Sequence, residues 1–154
     1  MKIAIVGSRE YLRWDIVHAF VSAIWRKHPG ATVLSGGARG VDRHAVQAAM
    51  RHHMAFEVYP AQWDRYGKRA GYLRNELIVA DADQVVAFWD GKSRGTKHTI
   101  DIARRHGVPF HVYGPNGKPL DPFRATNGTP APEPPPPAIM GKKGRGSSRR
   151  RAIR

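Results

Sequence analysis

From Gln84 to Trp89 the chain is almost wholly apolar, with no polar alternation. Such a run suits a central strand buried on both faces, the habit of parallel sheets covered by helices. The neighbouring segments agree. Lys2 to Val6 is a short β-branched run ending at Gly7, and Ala31 to Ser35 reads as a strand ending at Gly36-Gly37. Met54 to Tyr59 is a third strand before Pro60, and Val108 to Tyr113 is a fifth. Trp14 to His28 carries Val17, Phe20, Val21, Ile24 and His28 at helical spacing and stops at Pro29-Gly30. Val41 to His53 repeats apolar residues at Val41, Ala45, Ala48 and Ala49. Arg74 to Ala80 falls within a helix, and Thr96 to His106 is a helix stopped at Gly107. Five strands separated by four helical stretches predict an α/β fold, a single three-layer domain with a mostly parallel five-stranded sheet and right-handed crossovers. The expected strand order is 3-2-1-4-5. It sets the loops Gly7-Ser8, Gly36-Gly37 and Gly91 to Gly95 along one crevice at the carboxyl ends of the strands.

With 154 residues the chain has room for one ordinary domain. Lys and Arg number 26 against 12 Asp and Glu, a formal charge of +14. Residues 1–120 hold 18 basic and 10 acidic side chains, and residues 121–154 hold 8 and 2. Nine of the 12 prolines fall between Pro115 and Pro137, and Pro134 to Pro137 form a run that favours an extended spacer. Beyond it, Lys142, Lys143, Arg145, Arg149, Arg150, Arg151 and Arg154 stand among 14 residues without an acid. Such a stretch cannot bury enough apolar area to offset its ordering entropy. The expected division is a folded domain over 1–114 and a disordered tail over 115–154, Pro-rich and then Lys/Arg-rich. The absence of cysteine excludes disulfides, thiolate zinc sites and cysteine nucleophiles. The eight histidines show no metal spacing, and no metal or cofactor is implied. No run approaches a membrane span and the N-terminus is too short in apolar residues for a secretory signal, so the expected location is the cytoplasm.

The strongest local signal is Ser35-Gly36-Gly37-Ala38-Arg39-Gly40-Val41-Asp42, which joins a strand to a helix. Glycines there let backbone amides approach an anion, and a helix N-terminus adds about half a positive charge. Arg39 can grip phosphate bidentately. Asp42 either caps the helix or accepts a hydrogen bond from a ribose hydroxyl. The plain alternative is a tight turn with a helix cap. Gly7-Ser8-Arg9 offers a hydroxyl, amides and a counter-charge after the first strand, or is simply an exposed turn. Ser93, Gly95 and Thr96 form a third anion-friendly turn, with Thr96 as cap in the plainer reading. Arg74-Asn75 sits among Leu73, Leu77 and Ile78, an odd place for a polar pair unless it faces a polar site. Trp63, Tyr66 and Tyr72 either stack on a base or form a satellite apolar cluster under a loop. Asp81 and Asp83 flank a helix–strand turn and are expected to be solvated rather than paired.

Together these motifs resemble the SLOG superfamily of Rossmann-like nucleotide-binding domains, and within it the small YspA/YpsA-related proteins, often phage-encoded or bacterial. The resemblance runs from Lys2 to about Tyr113. Beyond the motifs above it includes Pro60-Ala61-Gln62-Trp63 and Gly67-Lys68-Arg69-Ala70-Gly71. DNA-processing protein A, a single-stranded DNA binder, has segments similar to Ser35–Asp42, Arg74-Asn75 and Ser93–Thr96. The Lonely Guy phosphoribohydrolases, which cleave a nucleoside monophosphate at its N-glycosidic bond, have an Arg in a segment like that of Arg74. They also have a Glu three residues after a Gly-Thr. Here that position is Thr99, and a hydroxyl cannot supply a carboxylate's acid–base role.

The resemblance implies binding of a nucleotide or nucleotide-derived ligand, in a context of nucleotide signalling or phage–host conflict, more as a binder than as an enzyme. Gly7, Ser8, Arg9, Ser35, Gly36, Gly37, Arg39, Gly40, Asp42, Arg74, Asn75, Ser93, Gly95 and Thr96 form the expected ligand and phosphate site. Asn75 is expected to meet base or sugar. The rival readings are single-stranded DNA binding, with the tail adding affinity for DNA or RNA, and an N-glycosidase using Asp101 or Asp42. No membrane partner is expected, and a homo-oligomer is compatible with the sequence.

Overall fold

The computed structural model describes residues 1–120; the cationic tail residues 142–154 lie outside the described residues. Five strands, β1 (Lys2–Gly7), β2 (Thr32–Ser35), β3 (Ala55–Val58), β4 (Gln84–Phe88) and β5 (Phe110–Tyr113), form one sheet in the order β3-β2-β1-β4-β5. This is the order expected from the sequence, and all four strand pairs are parallel. The helices are α1 (Trp14–Lys27), α2 (Val41–Arg51), α3 (Trp63–Tyr66), α4 (Ala70–Asp81) and α5 (Arg94–Arg105), with a 3-10 turn over Gly67–Arg69.

Side chains alternate across the central strands and divide the core in two. Ile3, Ile5, Val86 and Phe88 face α1 and α2, meeting Val17, Val21 and Ala45. Ala4, Val6, Val85 and Ala87 face α4 and α5, meeting Ile78, Val79 and Ile100. Both faces of β1 and β4 are therefore dry, which explains their apolar runs. β3 is the exposed edge strand. β1 lies between β2 and β4, so successive crossovers leave it in opposite directions and open a crevice beyond its carboxyl end. Past Tyr113 the chain turns back, with Gly114 N–H donating to Lys118 O (2.9 Å) and Leu120 N–H to Val112 O (2.8 Å).

Three local readings are corrected. Trp63, Tyr66 and Tyr72 do not form a buried satellite cluster; they are 51%, 42% and 44% exposed. Asp81 and Asp83 are exposed but have partners. Asp81 accepts from Lys2 Nζ and from the Tyr59 hydroxyl, and Asp83 accepts from Lys2 N–H, which ties β1 to the start of β4. The cap of α5 is Ser93 rather than Thr96: its hydroxyl accepts from Thr96 N–H at 3.3 Å. Among the described residues no helix is long and apolar enough to cross a membrane.

Candidate ligand cleft at the strand switch point

A cleft of about 790 Å³ opens at the crevice beyond β1. It is lined by the loops after β1 (Gly7, Arg9, Glu10), after β2 (Ala38, Asp42) and after β4 (Asp90, Lys92, Ser93). α4 adds Arg74 and Asn75, and α5 adds Gly95, Thr96 and Thr99.

Arg74 is the hub. Its Nη1 donates to Gly36 O at 2.6 Å and its Nε to Asn75 Oδ1 at 3.1 Å. Asn75 is buried, and its Nδ2 donates to Gly95 O at 3.3 Å. The expected polar pair on α4 thus faces a polar site, and Asn75 connects Arg74 to the start of α5. Burial presses the Arg74 guanidinium below its ordinary pKa, Asp42 works against that, and Arg9 adds to it.

The glycine-rich loop is built around an anion of the chain itself. Gly37 N–H donates to Ser35 Oγ at 3.2 Å and Ala38 N–H to Asp42 Oδ2 at 3.4 Å. Ser35 is buried and its hydroxyl donates to Asp42 O at 3.1 Å. Asp42 is buried in the first turn of α2, whose N-cap is Gly40. Burial pushes its carboxyl up to about 6, against the favourable charge of Arg74 and the N–H groups of Ala38, Gly7 and Gly36. Gly40 has φ +82°, and a Cβ there would meet Arg9 O at 2.6 Å and Ser8 O at 2.8 Å, so only glycine lets the two loops touch.

Ser8 holds the β1 and β4 loops together: its N–H donates to Phe88 O (3.0 Å) and its Oγ accepts from Asp90 N–H (3.1 Å). Burial disfavours the Asp90 charge, but the N–H groups of Lys92 (2.8 Å) and Ser93 (2.9 Å) and the Ser8 hydroxyl outweigh it and hold the carboxyl below its usual range. Arg39 is exposed and does not itself line the cleft; it pairs at 2.5 Å with Glu10, which does.

The cleft therefore brings together Gly7, Arg9, Asp42, Arg74, Asn75, Ser93, Gly95 and Thr96. Ser8, Ser35, Gly36, Gly37 and Gly40 shape the loops behind it. Sequence reasoning did not single out Lys92, Asp90 or Glu10 as lining. The signal for the first two was their place directly after the central strand β4, where a parallel sheet puts its ligand loops. Thr99, noted only as an absent carboxylate, lines the cleft and donates to Gly95 O at 3.2 Å. Among the described residues no group of three metal-ligating side chains occurs.

The chain is similar to Gene 61 protein of Mycobacterium phage D29, with 37% identity over 120 residues that cover 73% of this chain and 96% of that one. The family model of the YspA, cpYpsA-related SLOG proteins matches residues 1–66. The fold is similar to DNA processing protein A from Helicobacter pylori, with TM-score 0.56 and 22% identity over 73% of this chain and 65% of that one. It is also similar to DNA processing protein A from Streptococcus pneumoniae (TM-score 0.60, 19% identity, 80% of this chain, 52% of that one). A molybdenum cofactor binding protein from Rippkaea orientalis matches comparably (TM-score 0.60, 20% identity, 73% and 76%). The chain spans only 65% and 52% of the two DNA processing proteins, and at these identities the likeness is one of fold. Taken with the Rossmann-like sheet and the motif order around the cleft, the phage relative and the family model make this chain a member of the YspA, cpYpsA-related SLOG family.

Proposed function

We propose that the switch-point cleft binds a nucleotide or nucleotide-derived ligand through its phosphate. The observation that carries this reading is the convergence of Arg9, Arg74 and Lys92 with the N-terminal turn of α5 on one cleft. Guanidinium groups and a helix start are the donors that phosphate oxygens require. Arg74, pre-set by Gly36 O and Asn75, grips the phosphate. Ser93 and Thr96 supply hydroxyls, and the 790 Å³ of the cleft suit a whole mononucleotide. The setting is cytoplasmic, in nucleotide signalling or phage–host conflict; similarity to a mycobacteriophage protein supports it.

A second reading, binding of single-stranded DNA, draws support from the DNA-binding Helicobacter pylori structure of similar fold and from the net charge of +8 on residues 1–120. A thermal-shift screen of nucleoside mono-, di- and triphosphates, run beside a single-stranded DNA titration at two salt concentrations, separates the readings. Stabilisation by a mononucleotide supports the first. DNA binding without any mononucleotide effect supports the second.

A further inference from the structure

A second cavity, of about 310 Å³, adjoins the cleft, and Lys92 and Ser93 line both. The start of α5 divides them. Gly95, Thr96 and Thr99 face the cleft, while Lys97, His98 and Asp101, at i, i+1 and i+4, face the second cavity. Its walls combine the aromatic rings of Tyr72, Trp89 and His98 with the cations of Lys92 and Arg94, and with Lys97, which is paired to the Asp101 carboxylate at 2.6 Å.

Trp89 is partly buried and packs against the core on the α4–α5 side, but packing does not account for Tyr72 or His98. Tyr72 is 44% exposed, although its ring meets His98 edge-on with centroids 4.5 Å apart. Trp89 Nε1 donates to Ser93 O at 3.0 Å, which fixes the indole against the loop shared by both cavities. His98 Nδ1 is buried with no hydrogen-bond partner among the described residues. Buried polar atoms are nearly always partnered, and an exception calls for an explanation. Burial also lowers the His98 pKa, with Glu76 and Asp101 working against it and Arg105 adding to it. Accessible aromatic faces beside cations are what nucleobases and their phosphates bind without sequence preference.

We propose that this second cavity is a base-binding subsite continuous with the phosphate cleft, so that the protein holds two nucleoside units joined through phosphate. Tyr72 and Trp89 carry the second base, and Lys92 and Arg94 meet the phosphate that crosses the 90–94 loop. The inference rests on the reading of the main cleft as a nucleotide site. The occupant is either a free dinucleotide or two successive residues of a single strand.

The test is a titration of the full chain with thymidine 5′-monophosphate, the 5′-phosphorylated dithymidylate and a ten-residue oligothymidylate, the last at high salt. The dinucleotide is expected to bind about tenfold tighter than the mononucleotide, the contribution of one stacked base. Tyr72→Ala, at an exposed position, removes that advantage and leaves mononucleotide affinity unchanged; His98→Ala acts in the same direction. Oligothymidylate binding tighter still identifies a strand as the source, and equal affinities identify a free dinucleotide. Mononucleotide binding with no gain for the dinucleotide overturns the subsite while the main cleft stands. A dinucleotide affinity untouched by both variants overturns it as well. Binding of none of the three ligands removes both readings.

Discussion

Arg74 and Asp42 meet at Gly36: a Cβ at that glycine would lie 2.7 Å from Arg74 Nη1 and 2.7 Å from Asp42 Oδ2. One buried carboxylate and one half-buried guanidinium thus close over a residue with no side chain, at the wall of the cleft. Gly36→Ala forces Arg74 off its carbonyl partner, because Ala fits the backbone there but not the space. Nucleotide affinity should fall about tenfold, the value of a displaced charged hydrogen bond, while cooperative unfolding is retained. Calorimetric titration alongside a circular-dichroism melt reads both.

Asp42 makes stability depend on pH in an unusual direction. The folded protein holds its proton up to about pH 6, against 3.8 for an ordinary aspartate. Between those values the folded state binds more protons than the unfolded one, so this group's contribution falls as pH rises from about 4 to about 6 and is level above. Asp42→Asn stays neutral throughout. Urea unfolding at several pH values should show the variant gaining on the wild type up to about pH 6, by on the order of 2–3 kcal/mol. A constant difference between the two proteins would show that burial does not perturb this carboxyl.

Thr99 lines the cleft, at the position where the resemblance to the phosphoribohydrolases would call for a glutamate. Its hydroxyl already donates to Gly95 O, and it cannot act as an acid or base near neutral pH. Chromatography of AMP incubated with the protein should show no rapid release of adenine. Efficient release that is lost in Asp42→Asn would instead make the protein a nucleotide N-glycosidase with Asp42 as its acid or base.

The seven cations from Lys142 to Arg154 have the composition of a sequence-blind polyanion tether. If several engage phosphates, removing residues 121–154 should flatten the plot of log affinity against log salt for duplex DNA by about 2–5 units. Nucleotide binding by the remaining chain should not change. Equal salt slopes for full-length and shortened protein would assign any DNA binding to residues 1–120.

Much of this was legible in the sequence because burial writes itself into composition. β1 and β4 are dry on both faces, so Ile3 to Val6 and Val85 to Phe88 are continuous apolar runs, and the central strands could be named. Arg74-Asn75 stood out because a polar pair flanked by Leu73 and Ile78 has few structural uses. Partner choice inside the loops was not legible. Nothing in the local pattern shows that Arg39 turns out to Glu10 or that the glycine-loop amides serve Ser35 and Asp42. Those pairings depend on how β1, β2 and β4 bring their loops together. The exposure of Trp63 and Tyr72 was hidden for the same reason, since aromatic residues read alike in a core and in a ligand site.

Whether Arg74 holds a nucleotide phosphate in the cleft is decided by one titration. Wild type and Arg74→Ala are titrated calorimetrically with the mononucleotide that stabilises the wild type most in the thermal-shift screen. Arg74→Ala leaves Gly36 O without its partner, which should cost about 1–3 kcal/mol of stability and leave a folded protein. The wild type should bind, and Arg74→Ala should bind at least about tenfold more weakly. Equal affinities of the two folded proteins would contradict it and put the ligand elsewhere.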